Sequence, residues 1–359
     1  MKIITTIATV VCLHCTVAEQ IDPRREIHNA ITSGERAFLD KARKDSALLR
    51  DTMQSDSTMF TAGLPPEVHH LSKIRGISSK DLDQSELERT IVKANKGSTE
   101  AAYFLGLFYL YGLVDLEPNE EIAAKWFGKS ADGGHKDARI ALGLLFDSGY
   151  GNIKQNSQLA QEYFRLASRE DEGNTFAHWL YAKSLFENAS SFDFPEEKLD
   201  DQMQEAARLF ELVSSDFPEA VHSLAIMYEY GIVKCDTDKS NFIKAAELYQ
   251  SASQQGYVES TYHLGLLYLY GRGLPQNYQK ATELFQIAAT HPFRPHAQSM
   301  RYLAGLLAHG YGVQYLGEAL QWYDMCSLQT HAEVHKLCMK EKEMIANLIE
   351  RAEGKLLAE

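Results

Sequence analysis

Gly256–Ala289, GYVESTYHLGLLYLYGRGLPQNYQKATELFQIAA, is the stretch from which the fold can be read. Ser260 to Tyr270 carries Leu264, Leu267 and Tyr268 at helical spacing on one face. Gly271, Gly273 and Pro275 then interrupt the helix, because glycine tolerates positive φ and proline lacks an N–H. A second helix is predicted at about Tyr278–Ala289, with Ala281, Leu284, Phe285, Ala288 and Ala289 on its inner side. One such pair cannot bury its own apolar faces, so it needs neighbours of the same kind.

The rest of the chain supplies them. First helices align on a small residue at Ala101, Ala138, Ala177, Ala220, Ser260 and Ser299, each eleven positions before a break. Six positions before each break stands Gly106, Gly143, Ala182, Ala225, Gly265 or Ala304. Only small side chains occur there, which suits a close helix crossing. Three positions before the break stands Tyr109, Phe146, Leu185, Tyr228, Tyr268 or Leu307. Second helices align on Ala123, Ala160, Ala206, Ala245, Ala281 and Ala319, and four residues after each comes an aromatic: Phe127, Phe164, Phe210, Tyr249, Phe285, Tyr323. A small and a large residue at i and i+4 share one face, as stacked helices require. The alanine intervals are 37, 46, 39, 36 and 38 residues.

This unit is longer than the roughly 34 residues of a tetratricopeptide repeat, and the extra length sits in the glycine-containing connector. The pattern A-x-x-x-L-G-x-x-Y-x-x-G, followed by A-x-x-W/L-F/Y, resembles the Sel-1-like repeat. Ala101–Ala131 and Ser260–Ala289 are the best copies. Ala177–Ser214 departs most, with Ala182 and Asn188 where that family prefers glycine. The resemblance implies an all-α fold, a right-handed α-solenoid of about six helix pairs over residues 85–328. Helical caps are expected at both ends. The N-terminal one falls within residues 19–84, which also read as a linker broken at Gly63-Leu64-Pro65-Pro66. The C-terminal one is a capping helix within 329–359, or alternatively a helix that docks on a partner in trans.

The chain has 359 residues, 45% of them apolar, which is enough for a substantial core. A formal charge of −13 argues against a general nucleic-acid binder, which needs a basic stripe. Met1-Lys2, the apolar run Ile3–Val17 and the small residues ending at Ala18 fit a signal peptide over residues 1–18. No later stretch approaches the ~18 consecutive apolar residues of a membrane span. The expected address is the secretory pathway, either the endoplasmic-reticulum lumen or the outside of the cell.

Cys12 and Cys15 would leave with the signal peptide, and three cysteines cannot form a disulfide framework. Cys326 and Cys338 lie on segments that could fold back on each other, either bridged or as buried thiols, with Cys235 the odd one. Nothing has zinc-site spacing, and His69-His70 stands without a partner cluster, so no metal and no cofactor are expected. No GxSxG elbow, HExxH helix or phosphate-binding loop occurs. Gly149-Tyr150-Gly151 and Gly271-Arg272-Gly273 follow helices rather than strands. The chain is therefore not expected to be an enzyme.

Binding is the remaining class. Tyr111, Tyr230 and Tyr270 each precede a break glycine, where other repeats carry Ser148 and His309. A position that tolerates serine and histidine is expected to be part-exposed, so these tyrosines form a candidate ladder for a protein partner. The 46-residue interval holds the acidic insertion Asn188–Asp201, with Phe192 and Phe194 as contact candidates; a solvated loop is the alternative. Asn188-Ala189-Ser190 is a glycosylation sequon usable in the secretory lumen.

The expected function is a non-catalytic protein-binding scaffold. The resemblance adds a pathway, because proteins with a signal peptide and these repeats include the lumenal adaptor of the Hrd-type membrane ubiquitin ligase. That relation implies a ubiquitin ligase or misfolded glycoproteins of ER-associated degradation as partners, and this chain would be a soluble relative. The alternative is a secreted protein that binds an extracellular or host partner. Hydrolases suggested for this repeat class carry regular cysteine pairs within each repeat, and this sequence has none.

Overall fold

A computed structural model of the chain describes residues 84–356, except 115, 171–173, 190–195, 234–237, 293, 311–314 and 329–331. The described residues form fourteen α-helices and no strand. Their contacts cluster into two compact units that divide between Val213 and Ser214, inside the stretch expected to be one repeat domain. The N-terminal unit contains α1 (Gln84–Asn95), α2 (Thr99–Tyr111), α3 (Glu120–Asp132), α4 (Lys136–Ser148), α5 (Ser157–Glu170), α6 (Thr175–Ala189) and α7 (Glu196–Leu212). The C-terminal unit contains α8 (Pro218–Glu229), α9 (Asp238–Gln254), α10 (Val258–Tyr270), α11 (Tyr278–Ala289), α12 (Ala297–Gly310), α13 (Leu316–Ser327) and α14 (Ala332–Leu356).

Within each unit every helix packs on the next, and the tightest pairs are first helix with second helix, such as α2 on α3 and α10 on α11. The small-residue position is where they cross. A Cβ built on Gly106, Gly143 or Gly265 would lie 2.5, 2.3 or 2.7 Å from the ring of Phe127, Phe164 or Phe285. Those rings are almost completely buried, as are Ala123, Ala160 and Ala281 one turn earlier. The i, i+4 small–aromatic pair of the second helix thus meets the small residue of the first.

Local chemistry sets the helix ends. Ser98, Asn119, Asn156, Asn174 and Asn277 accept hydrogen bonds from backbone N–H groups three residues on, satisfying donors that the first turn leaves open. At the other end Gly112 and Gly271 adopt left-handed backbone, φ 62° and 67°, and their N–H groups bond back to Phe108 and Leu267. The connector is then stapled to the helix it has just left. Asn119 N–H donates to Tyr109 O at 2.7 Å, Asn156 to Phe146 O at 2.7 Å, and Asn277 to Tyr268 O at 2.9 Å. Each cap asparagine therefore starts the second helix and also fixes its approach to the first.

At the end of the C-terminal unit, α14 packs on α13 and touches α12. Arg301 bonds Glu341 at 2.9 Å, with both side chains largely buried. Lys342 pairs with Asp324, and Ile345 is buried in the same cluster as Leu303 and Tyr323. Among the described residues, no helix is long and apolar enough to cross a membrane.

Candidate partner-binding surface

At about 100° per residue, positions two, three, six, nine and ten after the small anchor of each first helix share one face, beside the crossing; from it Tyr103, His222 and Tyr262 still reach the aromatic of the partner helix. This face has most of the variable chemistry of the chain. In the N-terminal unit α2 places Tyr103, Phe104, Leu107, Leu110 and Tyr111 on it. In the C-terminal unit α8 places His222, Ser223, Glu229 and Tyr230, and α10 places Tyr262, His263, Leu269 and Tyr270.

The three tyrosines expected to form a ladder are all half-buried, and their settings differ. Tyr111 keeps part of its ring exposed, but its hydroxyl is fully buried without a hydrogen-bond partner, like that of Tyr103 on the same helix. Burial pushes both phenols well above their ordinary value; Asp137 and then Tyr111 add to the effect at Tyr103, and Tyr150 adds to it at Tyr111. Both phenols therefore stay neutral. Tyr230 is the C-cap residue of α8. Tyr270 lies 5.5 Å from the guanidinium of Arg272, which also faces Phe242.

Asn188 ends α6 as a half-buried residue, and its amide donates to Gln161 Oε1 on α5 at 3.2 Å. The rest of the insertion falls largely outside the described residues, Phe192 and Phe194 included, as do His69, His70, Cys235 and residues 1–18. Cys326 on α13 and Cys338 on α14 are joined in a disulfide, their Cα atoms 6.1 Å apart. Among the described residues, no group of three or more His, Cys, Asp or Glu side chains is placed to hold a metal ion.

The repeat pattern gave no warning of the most concentrated chemistry, which lies at α8, α9 and α10. Tyr249 hydroxyl donates to Glu229 Oε2 at 2.6 Å, and His263 Nδ1 lies 3.4 Å from the same oxygen. His263 stacks on Tyr249, with centroids 5.0 Å apart, and meets the edge of His222 at 5.4 Å. His222 Nδ1 is 2.9 Å from Ser260 Oγ. Burial pushes the Glu229 carboxyl upward, but His263, Tyr249 and Arg272 together outweigh it and hold the group below the usual carboxylate range. The second buried charge is Arg301. Burial opposes its charge, and Glu341 more than compensates and raises its pKa. Both clusters join residues of different repeats or of the cap, so their members stand far apart in the sequence.

The profile of the Sel1 repeat matches residues 99–135, 136–172, 218–257 and 258–292. The chain is a Sel1-repeat protein. The pairs α6–α7 and α12–α13 lie outside the matched ranges, and α6 is the helix where alanine and asparagine replace the two pattern glycines. Among characterised proteins, the ERAD-associated E3 ubiquitin-protein ligase component HRD3B of Arabidopsis thaliana is 24% identical over 344 aligned residues. That alignment covers 77% of this Sel1-repeat chain and 54% of HRD3B, so the chain spans about half the length of this relative. The chitin synthase regulator SKT5 of Malassezia restricta is 32% identical over 134 residues, 36% of this chain and 9% of that protein. Among solved structures, c5321, a protective antigen of uropathogenic Escherichia coli with the same repeat fold, superposes with a TM-score of 0.53 at 19% identity. It covers 73% of this chain and 54% of its own.

Proposed function

We propose that this Sel1-repeat protein is a non-catalytic scaffold of the secretory pathway that serves ER-associated degradation by presenting protein partners to a membrane ubiquitin ligase. The observation that carries this reading is the similarity to HRD3B across 77% of the chain, which extends well beyond the four profile-matched repeats. The signal-peptide pattern of residues 1–18 supports the same address. The partner contacts Tyr111, Tyr230 and Tyr270, with Phe192 and Phe194 of the insertion as additional contacts. Half-buried tyrosines offer ring contact area at small entropic cost, and at Tyr111, whose hydroxyl is buried, the ring alone is available. Asn188 carries a glycan in the lumen. There the disulfide between Cys326 and Cys338 persists, as oxidising compartments permit.

The test is a crosslinked pull-down of the tagged full chain from its native cells, with cell and medium fractions analysed separately. The expected result is recovery from the cell fraction with a membrane ubiquitin ligase and glycoprotein clients. Recovery mainly from the medium without them would replace this reading with that of a secreted interaction protein. Replacing the three tyrosines by alanine is expected to reduce partner recovery at least tenfold, in line with the loss of aromatic hot spots. Unchanged recovery from a folded variant removes the ladder from the proposal.

A further inference from the structure

Inside the C-terminal unit, imidazole and phenol rings form one continuous buried chain across three successive repeats. His222 of α8 contacts Tyr249 of α9 at 5.5 Å and Tyr257 at 4.9 Å, then His263 of α10. Tyr262 follows on α10 and stands 4.6 Å from His296, which precedes α12. His222 is 6% exposed and Ser260, its hydrogen-bond partner, is fully buried.

The charges around this chain are unequal. Facing His222 are Tyr249 from α9, Tyr257 from the connector, Ser260 and His263 from α10, and His296 ahead of α12. None of these is an acid. Glu229, on α8 itself, accepts from Tyr249 and lies beside His263, with Arg272 as its further cation. Arg301, beyond Tyr262, is paired with Glu341. A proton on His222 would therefore sit in a ring cage among histidines, with no carboxylate as its partner among the described residues.

We infer that the packing of α8, α9 and α10 is an acid-sensitive joint: protonation of His222 is accommodated by opening the contact between successive repeats. Burial first, and then His263 and His296, hold the His222 imidazole well below its ordinary value, so the closed joint keeps it neutral. The open form binds the proton below about pH 6.5, the ordinary histidine value. Stability from this group is complete above that pH and lost as pH falls beneath it. Each pH unit of further fall raises the opening equilibrium about tenfold until the closed form also protonates. At the positions equivalent to His222 the N-terminal unit has Tyr103, Ile140 and Trp179; its histidines lie off that column, His135 stacked on Tyr103 and capping α4, and His178 buried on α6. The response belongs to the fold and does not depend on which partner the chain carries.

Hydrogen exchange of the full chain at about pH 7.5 and about pH 5.5, on either side of the ordinary histidine value, tests it once rates are corrected for the intrinsic effect of pH. Protection of the α8 and α10 amides is expected to fall by about tenfold, while that of α3 and α5, which contain no histidine and are capped by asparagine, holds. His222→Tyr, which installs the residue found as Tyr103 and Tyr262, is expected to abolish the fall. Equal responses in both units, no fall in α8 and α10, or a fall that persists in folded His222→Tyr would each overturn the inference. The comparison of α8 and α10 with α3 and α5 in the unsubstituted protein stands by itself if that variant does not fold.

Discussion

Two residues past the small anchor of each first helix, the N-terminal unit has Tyr103, Ile140 and Trp179, whereas the C-terminal unit has His222, Tyr262 and Arg301. One position further, Phe104, Ala141 and Leu180 contrast with Ser223, His263 and Tyr302. The crossings do not divide in the same way, because the N-terminal unit has Gly106, Gly143 and Ala182 there and the C-terminal unit has Ala225, Gly265 and Ala304. Gly106 and Gly143 let Phe127 and Phe164 of the N-terminal unit approach closer than any Cβ would permit. In the C-terminal unit Ala225 meets Tyr249, whose hydroxyl reaches on to Glu229. One helix-pair template thus carries glycine and alanine crossings in both units, while among the described residues the C-terminal unit adds the buried charges Glu229 and Arg301. The repeat fixes the crossing and leaves the neighbouring face open to variation.

The contrast is broken most severely at Arg301. Arg301→Ala leaves Glu341 buried without its cation and is expected to cost about 3–5 kcal/mol. It would appear as faster hydrogen exchange in α12–α14, with α2–α5 unchanged. Next comes the disulfide. Cys326→Ser, or a reductant, is expected to remove about 2–4 kcal/mol from the docking of α14, read from the denaturant midpoint with and without reductant. Gly143→Ala sharpens the comparison from the other side. The added Cβ would lie 2.3 Å from the Phe164 ring, and overpacking outweighs the gain in helix propensity, for a net loss of about 1–2 kcal/mol. Alanine is native at the same register in α6 and α8, so the penalty belongs to the individual glycine crossing and not to the residue type. The smallest effect should be the most uniform: Asn119→Ala and Asn277→Ala each lose a helix cap and cost about 1 kcal/mol in thermal or chemical unfolding. Unequal costs would show that the two units do not share the template at that point.

The template was legible in the sequence because it repeats. The alanine-to-aromatic spacing and the small residue before each break recur in six units, and the structure brings these positions together at Gly106 with Phe127 and Gly265 with Phe285. The second helix of the diagnostic stretch runs from Tyr278 to Ala289, as the periodicity predicts. The first starts at Val258 rather than Ser260, because Val258 and Ser260 are both buried in its opening turn. The buried clusters were not legible, since they occupy the positions that vary. His222 and Ser260 are 38 residues apart, and Arg301 and Glu341 are 40 apart, the latter on a helix outside the repeat. Laying the repeats in register and reading down the column of Tyr103, Ile140, Trp179, His222, Tyr262 and Arg301 is the signal that exposes them. Tyr111, Tyr230 and Tyr270 also share a column of the repeat, which is all that the sequence shows of them. Burial of the Tyr111 hydroxyl follows from its neighbours in space, which spacing does not reveal.

The connector bonds from Asn119, Asn156 and Asn277 back to the preceding helix close each of those pairs upon itself. Each is therefore a cassette whose internal geometry is settled before its neighbours arrive. Copying or deleting one in frame would lengthen or shorten the stack by one step and leave the remaining joints intact. Homologues of this protein should accordingly differ in repeat number more readily than in the shape of any single pair.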